Sequence, residues 1–349
     1  MYKSVIESSQ ELLGAATLDF SEESQRAKID TTLLRFFAIA LIVNSHLGRY
    51  YPTSHLAFDG MLGNSIFFLV SGLGLSISSQ RKKRRFVVWI RRRIKRIYPT
   101  IFIVTFTYYM LIDGRWDNSL TKYFGLFVWP TPYSFIKQLL VYYLIFFFIS
   151  RVNSRRAYLC SIATTSILYL VIYITSMNSG MTLSEFTDPL SWISWIFYFQ
   201  VMLFGGYLGL WNITRTSKKS HRLKSLFTCM ICYLTIKAMM SLEVVSGSYF
   251  LIHLALVPTL FFLVECLSVS DVMKHVSQGS LTYKVVKVVA SMTLELYVVH
   301  FCLIDAEYAL ALVFPLNIVL FVVTSTALSL GLSWVCQNLL AHGRLRKAR

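Results

Sequence analysis

The chain has 349 residues, 55% of them hydrophobic and only 15% charged, with a formal net charge of +17 and a mean hydropathy of +0.57. That composition is too apolar for a soluble domain and predicts a polytopic integral membrane protein, an all-α helical bundle in which each span satisfies its own backbone hydrogen bonds. The positive charge alone would suggest a nucleic-acid partner, but the placement of the basic residues excludes one.

Residues 1–30 form a polar segment with acidic residues, without the basic start and short apolar core of a cleavable signal, and are taken as a cytoplasmic tail. Apolar stretches long enough to span then recur about ten times, near 31–50, 61–80, 97–113, 135–150, 157–176, 191–211, 225–242, 249–268, 288–305 and 311–336. They make one membrane domain over 31–340, followed by a basic cytoplasmic tail over 341–349. The third and fourth stretches are the least regular. Asp113, Arg115 and Asp117 interrupt the pattern and Pro130 and Pro132 precede the fourth, so a re-entrant or interfacial segment also fits there.

With ten spans and a cytoplasmic N-terminus, the 34 lysines and arginines fall almost entirely on one side. The exceptions are Arg49, Arg115, Lys122 and Lys137 on the other side, and Arg35 and Lys237 within spans. The asymmetry is the positive-inside rule, so the basic charge reports topology: a multi-pass protein of the cell (inner) membrane with both termini cytoplasmic. The 6 cysteines lie in or beside apolar runs without a disulfide spacing, and the Cys229–Cys232 pair lacks the further ligands a metal site needs. No internal repeat is evident.

The first apolar stretch, LLRFFAIALIVNSHLGRYY, holds Arg35 and His46. Ionisable residues inside a span point to function. Eleven residues at 100° each end about 20° past three full turns, so the two side chains project from one helix face roughly 16 Å apart. One face therefore carries a fixed cation and a proton-transfer group. His55 follows in the loop, where it can assist or orient an acceptor.

In the second stretch, Ser71 and Gly72 mark a point where either a neighbouring backbone or a ligand can come close. The basic run Arg81-Lys82-Lys83-Arg84-Arg85 comes next, then Arg91-Arg92-Arg93-Ile94-Lys95-Arg96. Arg93 and Arg96 share a helix face at a spacing that lets two guanidinium forks clasp phosphate, with Arg92 beside them. The same run also serves orientation and lipid headgroups.

The order Arg35 and His46, then FFLVSG, RRRIKRIYP and SMTLELYVVH, resembles the acyltransferase family three membrane proteins along the whole chain. Where that family often has a Gly-Val-Asp-like run before its FF, this chain reads Gly63-Asn64-Ser65. The resemblance implies an O-acetyltransferase: transfer of an acetyl or other acyl group from cytoplasmic acetyl-CoA to a hydroxyl of an extracytoplasmic saccharide, as in O-antigen, capsule or exopolysaccharide, with no metal. His46 would be the catalytic histidine with Arg35 its companion. Arg93 and Arg96 would lie on the CoA side, joined by Arg92, Ser71 and Gly72.

Glu295, Tyr297 and His300 match the family's polar signature in the ninth stretch. Glu295 would orient His46 or hold a water, or else form a buried structural pair. His46 would act as general base, or as a nucleophile carrying the acyl group, with Ser71, Asn44 or Asn64 as oxyanion donors. Partners implied are acyl-CoA, a saccharide or lipid-linked saccharide, membrane lipids and a second copy of the chain. A transporter or flippase of lipid-linked saccharide is the alternative, though it would usually show repeats. A glycosyltransferase would want a loop carboxylate, and only Asp59 is available.

Overall fold

The structure is a computed structural model that describes residues 29–112, 114, 119–130, 133–210, 219–242, 247–267, 280–305 and 310–345. The tail up to residue 28, the interruption at Asp113, Arg115 and Asp117, and the residues after 345 lie outside these. Among the described residues every regular element is helical. The main helices are α1 (Thr32–His46), α2 (Gly60–Arg81), α3 (Phe86–Thr105), α4 (Ser134–Val152), α5 (Arg155–Asn178), α6 (Trp192–Leu210), α7 (Lys219–Ser241), α8 (Phe250–Leu267), α9 (Leu281–Ser291), α10 (Thr293–Leu303) and α11 (Leu316–Leu345).

Each of the ten apolar stretches falls on one of these helices, with two refinements. Among the described residues seven helical segments are long and apolar enough to cross a membrane, and α9 with α10 form a pair bent by 77° that is either a broken span or a re-entrant loop. The other two stretches are α1, with 15 residues, and α3, an amphipathic helix that opens among arginines and runs on into a π-helical segment, Phe106–Ile112. At 1.5 Å per residue α1 reaches about 22 Å, short of a full bilayer core.

Local chemistry sets several boundaries. Asp59 adopts a left-handed conformation (φ 74°) and its carboxylate accepts from the Leu62 N–H, capping α2. Asn153, also left-handed at φ 51°, closes α4 so that α5 follows within two residues.

The centre is α2 against α6. In lipid, helices associate by close packing more than by water exclusion, so small residues matter at their crossings. A Cβ on Gly72 would run into the Met202 carbonyl of α6, and one on Gly205 would run into the Leu69 carbonyl of α2. Phe68 is fully buried at this crossing, its ring 4.6 Å from Phe135 and 5.2 Å from both Tyr142 and Tyr198. Around this pair, α1 packs on α2, α9 and α10, while α10 also meets α3 and α11. By contrast α5 and α7 are the least buried of the long helices and turn apolar side chains outward.

The intramembrane polar residues are accounted for separately. Lys237 of α7 donates to Asp59 at 3.0 Å, and the Tyr233 hydroxyl donates to the same oxygen at 2.7 Å. His253 of α8 stacks on Phe197 with centroids 3.7 Å apart, and its Nδ1 lies 2.9 Å from the Tyr169 hydroxyl. Aromatic packing and this hydrogen bond position the ring, while its Nε2 has no partner among the described residues.

Candidate active site

Because α1 is one unbroken helix, Arg35 and His46 keep the spacing that the sequence predicts. Arg35 opens onto a cavity of about 690 Å³. Four more arginines reach its wall: Arg81 at the end of α2, Arg84 in the link to α3, and Arg93 and Arg96 on α3. Among the described residues no aspartate or glutamate contributes to the lining.

Several of these guanidiniums are placed by contacts other than ion pairs. Arg93 lies over the rings of Trp89, at 5.3 Å, and Tyr143, at 5.9 Å, which fix its position through the negative ring faces. Arg84 donates to Ser78 Oγ at 3.4 Å. The Nε atoms of Arg35, Arg84 and Arg93 are buried with no acceptor among the described residues. Buried donors need an acceptor, so the wall is built to receive an anion with several oxygens.

The helix periodicity sorts the other expected residues. Ser71 and Gly74 face the cavity, whereas Gly72, about 100° round the helix from Ser71, is taken up by the crossing with α6. Arg92 is exposed and does not reach the cavity wall, being one residue and about 100° away from Arg93. Of the expected donor-side set, Arg93, Arg96 and Ser71 converge and Arg92 and Gly72 do not.

The inner end of the cavity is aromatic, formed by Phe67 of α2, Phe135 of α4 and Tyr297 of α10. Thr293 and Leu294, just after the bend between α9 and α10, complete it. Tyr297 is also the link to the histidines, with its ring centroid 5.7 Å from His300 and 5.2 Å from Phe301. His46, half-buried, sits beyond this layer with its ring 5.4 Å from His300 and 4.7 Å from Phe301. His300 is completely buried, and its Nδ1 is 3.0 Å from the Leu296 carbonyl oxygen.

Glu295 does not orient His46. Its carboxylate accepts from Thr100 Oγ1 at 3.4 Å and lies within electrostatic reach of Arg96, so it belongs to the arginine end. His55 is exposed in a short turn, Ser54–Leu56. Asn44 holds the same loop by donating to the Leu56 and Phe58 carbonyls at 3.0 and 3.3 Å while accepting from Tyr51. That leaves Asn44 no free donor for an oxyanion. The Oδ1 of Asn64 is buried without a partner.

Sequence reasoning set Arg81 and Arg84 behind Arg93 and Arg96 as anion-binding residues. The signal was their own three-residue spacing across the end of α2. It likewise did not pair Asp59 with Lys237, which are 178 positions apart.

The arrangement is an arginine-lined cavity at one end of α1, an aromatic layer, and a histidine pair at the other end. No curated protein and no solved structure matches the chain. A family model described as an acyltransferase domain matches residues 28–337. With nearly its whole length matched, the chain belongs to acyltransferase family 3 and is a membrane acyltransferase.

Proposed function

We propose that the protein moves an acetyl group from acetyl-CoA to a hydroxyl of a saccharide on the opposite side of the membrane, with His46 as general base. The observation that carries this reading is the five-arginine, carboxylate-free cavity opening onto the helix that bears His46. The phosphates of CoA match the arginine forks, and the basic side of the bundle is the cytoplasmic one by the charge rule. The thin pantetheine arm would run from the arginines to the layer of Phe67, Phe135 and Tyr297, bringing the thioester toward His46.

There the neutral imidazole takes the proton of the saccharide hydroxyl as its oxygen attacks the thioester carbon. The new C–O bond forms, the C–S bond breaks, and the proton passes from His46 to the departing CoA sulfur. The glycosyltransferase alternative loses its base, because Asp59 is buried as a helix cap paired with Lys237 and Tyr233.

The test is reconstitution in liposomes with radiolabelled acetyl-CoA on the arginine side and a surface-type oligosaccharide on the other. Label should move to the saccharide, and His46→Ala should lower the rate by about 100-fold or more. Transfer that survives in His46→Ala removes His46 from the mechanism. Saccharide movement independent of acetyl-CoA would restore the transporter alternative.

A further inference from the structure

We infer that His300 is a positioning residue that fixes the tautomer of His46, in a chain running from the Leu296 carbonyl through His300 to His46. The first step is forced by hydrogen-bond chemistry. A carbonyl oxygen only accepts, so the 3.0 Å contact between His300 Nδ1 and the Leu296 oxygen puts the proton on Nδ1. In the neutral ring the Nε2 is then an acceptor alone. That Nε2 is buried and has no hydrogen-bond partner among the described residues, in a residue with 0% exposure.

An orphaned buried acceptor calls for a donor, and the rings around His300 narrow the choice. Phe301, 4.6 Å away, has none. The Tyr297 hydroxyl is turned toward α4, where its oxygen accepts from the Ser134 side chain and the Phe135 N–H. His46 remains, its centroid 5.4 Å from that of His300. Two imidazoles joined by an N–H···N bond of about 2.9 Å have centroids about 5.2 Å apart, since each nitrogen lies about 1.15 Å from its ring centre. The observed 5.4 Å separation lies close to that value, so the two rings are within reach of the bond.

Once made, the bond holds the His46 proton on the nitrogen facing His300. The other His46 nitrogen is left with a lone pair for the acceptor hydroxyl. His300 keeps its own proton throughout; the proton taken from the hydroxyl resides on His46 until it reaches the CoA sulfur.

The inference rests on the acyl-transfer reading above. Its test compares wild-type protein in lipid nanodiscs with His300→Gln, which offers an acceptor oxygen, and His300→Phe, which fills the space without one. Acetyl transfer and acetyl-CoA affinity are both measured. The expected result is a kcat about 100-fold or more lower for the Phe variant, within about tenfold of wild type for the Gln variant, and unchanged acetyl-CoA affinity for both.

A Phe variant within a few-fold of wild type overturns the inference, as does an equal loss in both variants or a parallel loss of affinity. Should the Phe variant not fold, His300→Ala with added imidazole replaces it: rescue of kcat supports the chain, and no rescue overturns it. Absence of transfer by the wild-type protein overturns the acyl-transfer reading and this inference with it. Transfer that needs His46 but not His300 overturns the inference alone.

Discussion

Gly72 on α2 lies directly against the backbone carbonyl of Met202 on α6, so close that no side chain fits between them. A methyl group there meets rigid backbone, which cannot move aside as a flexible side chain would. Gly72→Ala is expected to destabilise the protein by about 1–3 kcal/mol, the range for overpacking a tight contact. Two residues on, facing the cavity, Gly74 has open space where a Cβ would lie. Gly74→Ala should therefore leave the melting temperature in detergent unchanged. Equal melting temperatures for the two variants would remove the helix crossing as the reason for Gly72.

The arginine wall makes a graded expectation. Arg93→Ala and Arg96→Ala each delete charge-assisted contacts to a polyanion, of about 1.5–3 kcal/mol apiece, so acetyl-CoA affinity should fall roughly ten- to a hundredfold. Arg92→Ala, on the exposed side of α3, should bind as wild type. Titration calorimetry on purified protein separates them. Unchanged affinity in the Arg93 variant would return that residue to a topological role.

Asp59 and Lys237 form an ion pair in which the Asp59 side chain is 1% exposed and that of Lys237 is 31% exposed. Removing one partner strands a charge where solvation is poor, so Asp59→Asn or Lys237→Met should destabilise by up to about 3 kcal/mol. The double variant should recover part of the loss because no bare charge remains. Thermal unfolding of the four proteins reads the coupling, and strict additivity would mean that the pair is energetically idle.

Phe67 forms part of the aromatic end wall where the proposed acyl group would stop. Phe67→Ala opens that end, and acyl selectivity should shift toward chains longer than acetyl. Each added methylene is worth about 1–3 kcal/mol in such a pocket. The ratio of kcat/KM for butyryl-CoA over acetyl-CoA should rise tenfold or more, on the order of one methylene's contribution. A ratio that stays put would show that the wall does not bound the acyl group.

What the sequence disclosed follows from the physics involved. Transfer of apolar segments into lipid is a local, additive property, so every hydropathy stretch landed on a helix. Arg35 and His46 were legible as a pair because one unbroken helix connects them. The bend at Met292 was not, since neither proline nor glycine marks it and it depends on how α9 and α10 pack on α1. Nor was the pairing of His46 with His300, a contact between helices distant in sequence. Arg92 and Gly72 show the same limit at finer grain: a motif names neighbouring residues, while the helix turns each of them to a different side.

The five arginines of the cavity wall have a consequence for turnover. On the proposed reading, the arginines grip the phosphates of the donor, the portion that chemistry leaves untouched. Spent CoA then holds the cavity about as firmly as acetyl-CoA does, because such uniform binding favours substrate and product alike. The enzyme would accordingly be inhibited by its own product, and its flux would follow the ratio of acylated to free CoA instead of the donor concentration alone.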